Sequence, residues 1–233
     1  MPHKRLVLKL ASIGITGSLL KWCESFLSNR QQRVVMGENS SEWKDILSGA
    51  PQGSVLGPLF FLIYLNDLFH ILTTQSKVYA DDTKLISINK NVQQKFILQD
   101  DLNKIYRWTV DWLLFLNEDK CKIIYLGTKD QLINKNEYFI NDIKVAETIV
   151  EKDLGVLITS ELVWEKQIIR NCSNATFAAK SIFKKFTFKT IEKIKFLYKT
   201  FIRPKLEYAN VIWSPVKRVY INMLEKCRNV LPS

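Results

Sequence analysis

Among the residues able to do chemistry, two adjacent carboxylates come first: Asp81 and Asp82, within "VYADDTKL" at 78–85. Carboxylates are hard donors suited to hard divalent cations. Two such cations about 3.5–4 Å apart clamp an in-line displacement at phosphorus, one at the attacking oxygen and one at the leaving oxygen. Aspartate is also a favoured turn residue, so the bare pair reads as a solvated turn. Asp100 and Asp101, in a helical pattern, read as solvated face. Upstream lies "SGAPQGSVLGP" at 48–58, with three glycines and two prolines in eleven residues. Glycines let backbone approach a ligand closely, and the Gln52 amide offers both donors and acceptors.

These residues need elements to position them. Residues 3–28 are expected to be helical with a break near Gly14. Leu19, Trp22, Cys23, Phe26 and Leu27 form an i, i+3, i+4 stripe behind a Thr16 cap. "QQRVVMGENSSEWKDIL" reads as a hairpin connected by Gly37–Ser41, and 55–70 as a helix apolar almost all round and therefore central. "KVYADDTKLISI" reads as two short strands about a two-acid turn. A long amphipathic helix over 92–115 carries Leu98, Leu102, Ile105, Thr109 and Trp112 on one stripe. "KCKIIYLG" follows as a strand, "EYFINDIKVAETI" as a hairpin turning at Asn141–Asp142, and "DLGVLI" as another strand. From about residue 161 the pattern is wholly helical, near 164–186, 189–202 and 216–229, with Pro204 ending the second helix. The fold class is α+β, mostly antiparallel over 1–160, followed by a helical bundle over 161–233. There is no internal repeat or low-complexity tract.

The 233 residues carry a net charge of +11, and the excess is concentrated. Residues 166–205 hold eleven basic side chains against one acid, Glu192. Such a segment suits a polyanion such as nucleic acid better than a membrane surface. The aromatics among these lysines, Phe177, Phe183, Phe186 and Phe188, are expected to be bundle core. Cys23, Cys121, Cys172 and Cys227 have no metal-ligand spacing and read as reduced thiols of an intracellular protein. The apolar stretch 55–71 is interrupted by Gly57, Pro58, Asn66 and Asp67, which fits a buried helix, not a membrane span. The N-terminus has no signal-peptide hydrophobic region.

Tyr79-Ala80-Asp81-Asp82, with Pro51-Gln52-Gly53 upstream and a buried helix between, resembles the palm of a reverse transcriptase. "SGAPQGSVLGPLFFLIYLNDL", "YADDT", "LNEDKCKIIYLG", "DLGVLI" and "RPKLEYANVIWSP" come in the order seen in non-LTR (LINE-type) retrotransposon reverse transcriptases of the Jockey and CR1 kind. The match covers essentially the whole chain. It implies a partial palm over 1–160, without fingers, and a thumb-like domain over 161–233. The implied activity is RNA-directed DNA polymerisation, a nucleotidyl transfer using two Mg2+ ions. The implied partners are an RNA template, a DNA primer and deoxynucleoside triphosphates.

The resemblance also implies roles. Asp81 and Asp82 would bind the metals, and Tyr79 and Ala80 would lie beneath the primer end. Pro51, Gln52 and Gly53 would contact nucleotide and template. Lys120 would neutralise or protonate the departing pyrophosphate; its alternative is a solvated strand-edge lysine. Leu154, Gly155 and Val156 would grip the primer. Lys180, Lys184, Lys185, Lys189 and Lys193 would follow the phosphates of the primer–template duplex.

The family also carries a third catalytic aspartate, in a strand reading approximately F-D-x-V-x-H. The resemblance, with Met1 at the motif's valine and Pro2-His3 after it, implies that this aspartate falls just ahead of Met1, and Glu24, Glu38 and Asp67 are poorly placed to replace it. The expectation is a truncated chain, inactive alone, from an element copy or a gene model begun late. The alternative function is a non-catalytic nucleic-acid-binding remnant; a helical interaction protein is the remaining class. An RNA partner fits the cytoplasm and target-primed synthesis fits the nucleus.

Overall fold

A computed structural model describes residues 1–88, 92–127, 135–185 and 190–228. Phe186, Phe188 and Lys189 lie outside the described residues. The expected mixture of helices and small sheets is present. The chain forms two compact units, Met1–Cys121 with Asn136–Val145, and Lys122–Lys135 with Ala146–Ser233. Among the described residues no helix is long and apolar enough to cross a membrane.

In the first unit, α1 (His3–Ser12) and α2 (Gly17–Leu27) flank the expected break, where Gly14 and Gly17 take φ of +92° and +63°. Thr16 occupies the cap position without a side-chain capping bond. The α2 stripe is only partly core: Cys23 and Leu27 are buried, whereas Leu19 and Trp22 are exposed. Four two-residue strands, β1 (Gln31–Gln32), β2 (Val35–Met36), β3 (Asn39–Ser40) and β4 (Lys44–Asp45), make the expected hairpin with a tighter turn at Gly37–Glu38.

Helix α3 (Leu56–Leu65) continues as a 3-10 turn over Asn66–Ile71. Phe60, Tyr64 and Leu65 are buried, but Leu59 and Leu62 are exposed. Its apolar circumference therefore overstates its burial; one side meets the core, which α1, α2 and α4 (Val92–Asp111) share through Leu6, Leu10, Leu27, Ile105 and Trp108.

A cation sits in that core. Lys9 is 6% exposed, and its Nζ stands 3.8 Å from the Trp112 ring centre, 4.6 Å from Trp108 and 4.9 Å from Tyr64. It donates to the Asp67 carboxylate and the Tyr64 carbonyl. Burial pulls its ammonium below the ordinary lysine value, against the opposing pull of Asp67. Three aromatic rings thus surround a satisfied charge, which cation–π attraction favours when water is excluded.

Asp101 corrects the solvated-face reading. It is fully buried and accepts the Thr73 and Thr74 backbone N–H groups, at 3.0 and 2.6 Å to Oδ2. Lys104 bridges it and Asp100. Asp101, Ile105 and Trp108 recur at i, i+4 and i+7, so Asp101 falls on the buried stripe of α4. Burial pushes its carboxyl up, but the hydrogen bonds from Thr74, Thr73 and Lys104 outweigh this and hold it below its ordinary value. The carboxylate thereby anchors the chain entering the next hairpin.

That hairpin is β5 (Gln75–Tyr79) against β6 (Asp82–Ile86). A second, β8 (Phe139–Ile140) with β9 (Ile143–Lys144), turns at Asn141–Asp142 as expected. Both turn residues have positive φ, 50° and 60°, which Asn and Asp tolerate well. Gln99 of α4 holds it by accepting the Phe139 N–H and donating to the Phe139 carbonyl, at 2.9 and 2.8 Å.

In the second unit, the expected strand after Cys121 shrinks to β7 (Lys122–Ile123), which pairs in parallel with β10 (Ala146–Glu147). Strands β11 (Val150–Asp153) and β12 (Val156–Thr159) form an antiparallel hairpin. Helix α5 (Glu165–Lys185) packs on it through buried Gln167, whose Oε1 accepts the Leu157 N–H at 2.8 Å. Thr190 caps α6 (Ile191–Leu197). Pro204 does not end this helical run: a π-helical turn over Tyr198–Ile202 leads into α7 (Arg203–Glu207), where proline sits in the first turn and needs no N–H partner. Short α8 (Asn210–Trp213) and α9 (Arg218–Arg228) follow. Val156, Ile168, Ala175, Ala179, Ile202 and Trp213 form this unit's core.

Candidate functional site

The paired aspartates stand at a hairpin tip. Tyr79 pairs with Asp82, leaving Ala80 and Asp81 as the two-residue connection. The turn is therefore Ala80–Asp81, not the two acids, and Asp82 opens β6. Ala80 has φ +52°, a left-handed conformation that costs an alanine about 1–2 kcal/mol. Alternation places Tyr79, Lys77, Asp82 and Lys84 on one face, and Ser76, Val78 and Leu85 on the other. Val78 and Leu85 pack on the first unit's core while Tyr79, Asp81 and Asp82 are exposed.

The glycine-rich loop rests on the same core through Ala50 and Leu56. Gly49 and Gly53 take φ of +88° and +77°, so both perform a backbone task that side chains would resist. The loop is tied at both ends. Gly49 N–H donates to the Met1 carbonyl and His3 Nε2 donates to the Gly49 carbonyl, each at 2.8 Å. Ser54 Oγ donates to the Pro51 carbonyl at 2.7 Å and accepts the Gly57 N–H at 3.1 Å. Gln52 and Gly53 are left exposed between these ties. Sequence reading passed over His3 and Ser54. A serine three residues before an unpaired helical N–H was a legible capping signal for Ser54; nothing local marked His3.

Lys120 is exposed at the end of a 3-10 turn, Glu118–Lys120, just ahead of β7 and outside any strand. In the second unit, Leu154 and Gly155 form the turn between β11 and β12, and Val156 begins β12 with its side chain buried. Lys180, Lys184 and Lys185 are exposed on α5, and Lys193 is exposed on α6. Phe183 packs on the core as expected, but Phe177 is 74% exposed. Helical spacing sets it on one face with Arg170, Ser173, Lys180 and Lys184.

Residues 1–197 match the family of reverse transcriptases (RNA-dependent DNA polymerases). The chain belongs to the reverse transcriptase family. It is 25% identical over 240 aligned residues to the RNA-directed DNA polymerase from mobile element jockey of Drosophila funebris, covering 95% of this chain and 25% of that protein. The corresponding Drosophila melanogaster jockey protein is 32% identical over 107 residues, 42% of this chain and 12% of its own. A probable RNA-directed DNA polymerase from transposon X-element of Drosophila melanogaster is 24% identical over 216 residues, 88% of this chain and 24% of its own. These elements are of the non-LTR, LINE type. The chain spans about a quarter or less of the length of these curated relatives.

Reverse transcriptases use divalent metal ions. The donor chemistry at the β5–β6 tip is right for one, since both carboxylates are exposed hard donors. The donor number is not: no group of three His, Cys, Asp or Glu able to hold a metal occurs among the described residues.

Proposed function

We propose that this chain is a partial palm and thumb of an RNA-directed DNA polymerase of a non-LTR retrotransposon. Asp81 and Asp82 supply metal-binding carboxylates for Mg2+, and Pro51, Gln52 and Gly53 form a floor for nucleotide and template. Tyr79 and Ala80 support the primer end, and Lys120 serves the departing pyrophosphate. Leu154, Gly155 and Val156 grip the primer. Lys180, Lys184, Lys185 and Lys193 meet the phosphates of the primer–template duplex, with Lys189 continuing that series. The observation that carries the reading is the pair of exposed carboxylates at a hairpin tip, on the same core as a glycine-built loop.

The direct test is primer extension on an RNA template with Mg2+ and deoxynucleoside triphosphates. The 233-residue polypeptide is expected to give no extension, because two carboxylates cannot share two metals in the required geometry. A longer polypeptide that adds an upstream aspartate strand is expected to extend the primer and to lose this on Asp81→Ala. Extension by the 233-residue chain, abolished by Asp81→Ala, would show that two carboxylates suffice. Extension by neither polypeptide leaves the second reading, a non-catalytic nucleic-acid-binding chain. The cationic α5 face bearing Arg170, Lys180 and Lys184 favours that alternative.

A further inference from the structure

The β11–β12 tip is built from an unsuitable residue. Two-residue hairpin connections favour left-handed backbone, which Asn-Gly or Asp-Gly supplies at low cost. Here the pair is Leu154 at φ +43° and Gly155 at φ +87°. Glycine adopts this freely. Leucine stores strain, and such strain persists only where surrounding structure over-determines the conformation. Leu154 is 42% exposed, so core packing does not hold it.

One side chain meets both turn residues. The Tyr208 hydroxyl donates to the Leu154 carbonyl at 2.8 Å. Its ring lies against Gly155 so closely that a Cβ there would stand 3.1 Å from Tyr208 Cε1. Tyr208 is in turn fixed from behind. Its N–H donates to the Pro204 carbonyl at 3.0 Å, and its carbonyl accepts the Trp213 indole N–H at 2.7 Å. Trp213 is fully buried, and Ala209 between them turns through φ +54°. Tyr208 itself is 56% exposed. Its position is therefore set by its backbone, while its phenol is spent on a turn 54 residues earlier in the chain.

We propose that Tyr208 is a positioning residue that pins the Leu154–Gly155 tip to the helical bundle, in the shape that receives the 3′ end of a nucleic-acid primer. The inference rests on the primer-gripping reading of 154–156. It gives a task to a segment beyond residues 1–197, where the family match ends. Without the pin, the tip would relax away from the left-handed leucine, and the primer end would meet a moving surface.

The test uses the full 233-residue chain, its Tyr208→Phe variant and the Tyr208→Phe/Leu154→Asn double variant. Amide hydrogen exchange at 154–156 is one readout. Affinity for an RNA–DNA duplex with a recessed primer 3′ end, compared with a blunt duplex, is the other. Tyr208→Phe keeps the ring and removes only the hydroxyl, so exchange at the tip is expected to rise about fivefold, the worth of one net hydrogen bond. Affinity is expected to fall for the recessed end and to stay unchanged for the blunt duplex. Leu154→Asn suits the turn and is expected to restore slow exchange in the double variant, which loss of a merely structural contact would not predict. Unchanged exchange in Tyr208→Phe overturns the pin. Faster exchange with unchanged recessed-end affinity leaves the pin standing and overturns the primer-gripping reading.

Discussion

Two titratable residues show how much the surroundings decide. Asp101 and Asp100 are neighbours of one type, yet one is sealed and the other solvated. Asp101 carries a lowered pKa, so its contribution to stability is complete above its unfolded value near 3.8 and disappears as pH falls through its lower folded value. Asp101→Asn loses the charged acceptor for two backbone donors and is expected to cost about 1.5–3 kcal/mol at neutral pH. The difference between wild type and variant should narrow as the buffer is taken below pH 4, where the wild-type carboxylate is itself being protonated. Urea unfolding midpoints across that range check both statements. A constant difference would mean that shape, not charge, carries the effect. Lys9 behaves differently. Its aliphatic stem fills core space, so Lys9→Ala is expected to cost about 2–4 kcal/mol through the cavity it leaves. Lys9→Met retains the volume and should cost distinctly less, as thermal unfolding of the two variants would show.

Among the elements, hairpins place the candidate chemistry and helices hold the hairpins. Each candidate tip is short and needs an external tie: the Asp81–Asp82 hairpin sits on the core through Val78 and Leu85, and the glycine loop is held by His3 and Ser54. The β8–β9 hairpin depends on one glutamine, which makes two backbone hydrogen bonds from α4. Gln99→Ala is expected to raise amide exchange in 139–144 about fivefold to thirtyfold, equivalent to one or two net hydrogen bonds at about 1 kcal/mol each. The cores of both units should keep their protection. Exchange rising throughout the first unit would instead mean that this hairpin belongs to its cooperative core.

For the whole molecule, charge is the property most open to measurement. The net charge of +11 is concentrated in 166–205. If Lys180, Lys184 and Lys185 contact phosphates, each adds about 0.9 to the slope of log affinity against log salt, on the B-DNA figure. Replacing all three with glutamine should reduce that slope by about 2–3 for an RNA–DNA duplex, whatever its sequence. Side chains pointing only to solvent would leave the slope unchanged, because charges beyond a Debye length are screened. An unchanged slope, with the fold intact by circular dichroism, would reject α5 as the nucleic-acid surface.

The sequence by itself determined the family and most of the elements. Ordered motifs survive in the chain, and turn chemistry such as Asn141–Asp142 acts over two residues, so a local reading suffices. It also determined that Asp81 and Asp82 belong to a tip, because short alternating strands flank them. Only the tertiary structure decided which face of each helix is covered. Leu19, Trp22 and Phe177 carry a core pattern and stay exposed, while Asp101 carries a surface residue type and is sealed. Burial is a property of what packs opposite, and a helix pattern records only its own side. The ties to Tyr208, His3 and Gln99 were illegible for the same reason. Each joins positions about 40 or more residues apart, and no local spacing encodes such a pairing.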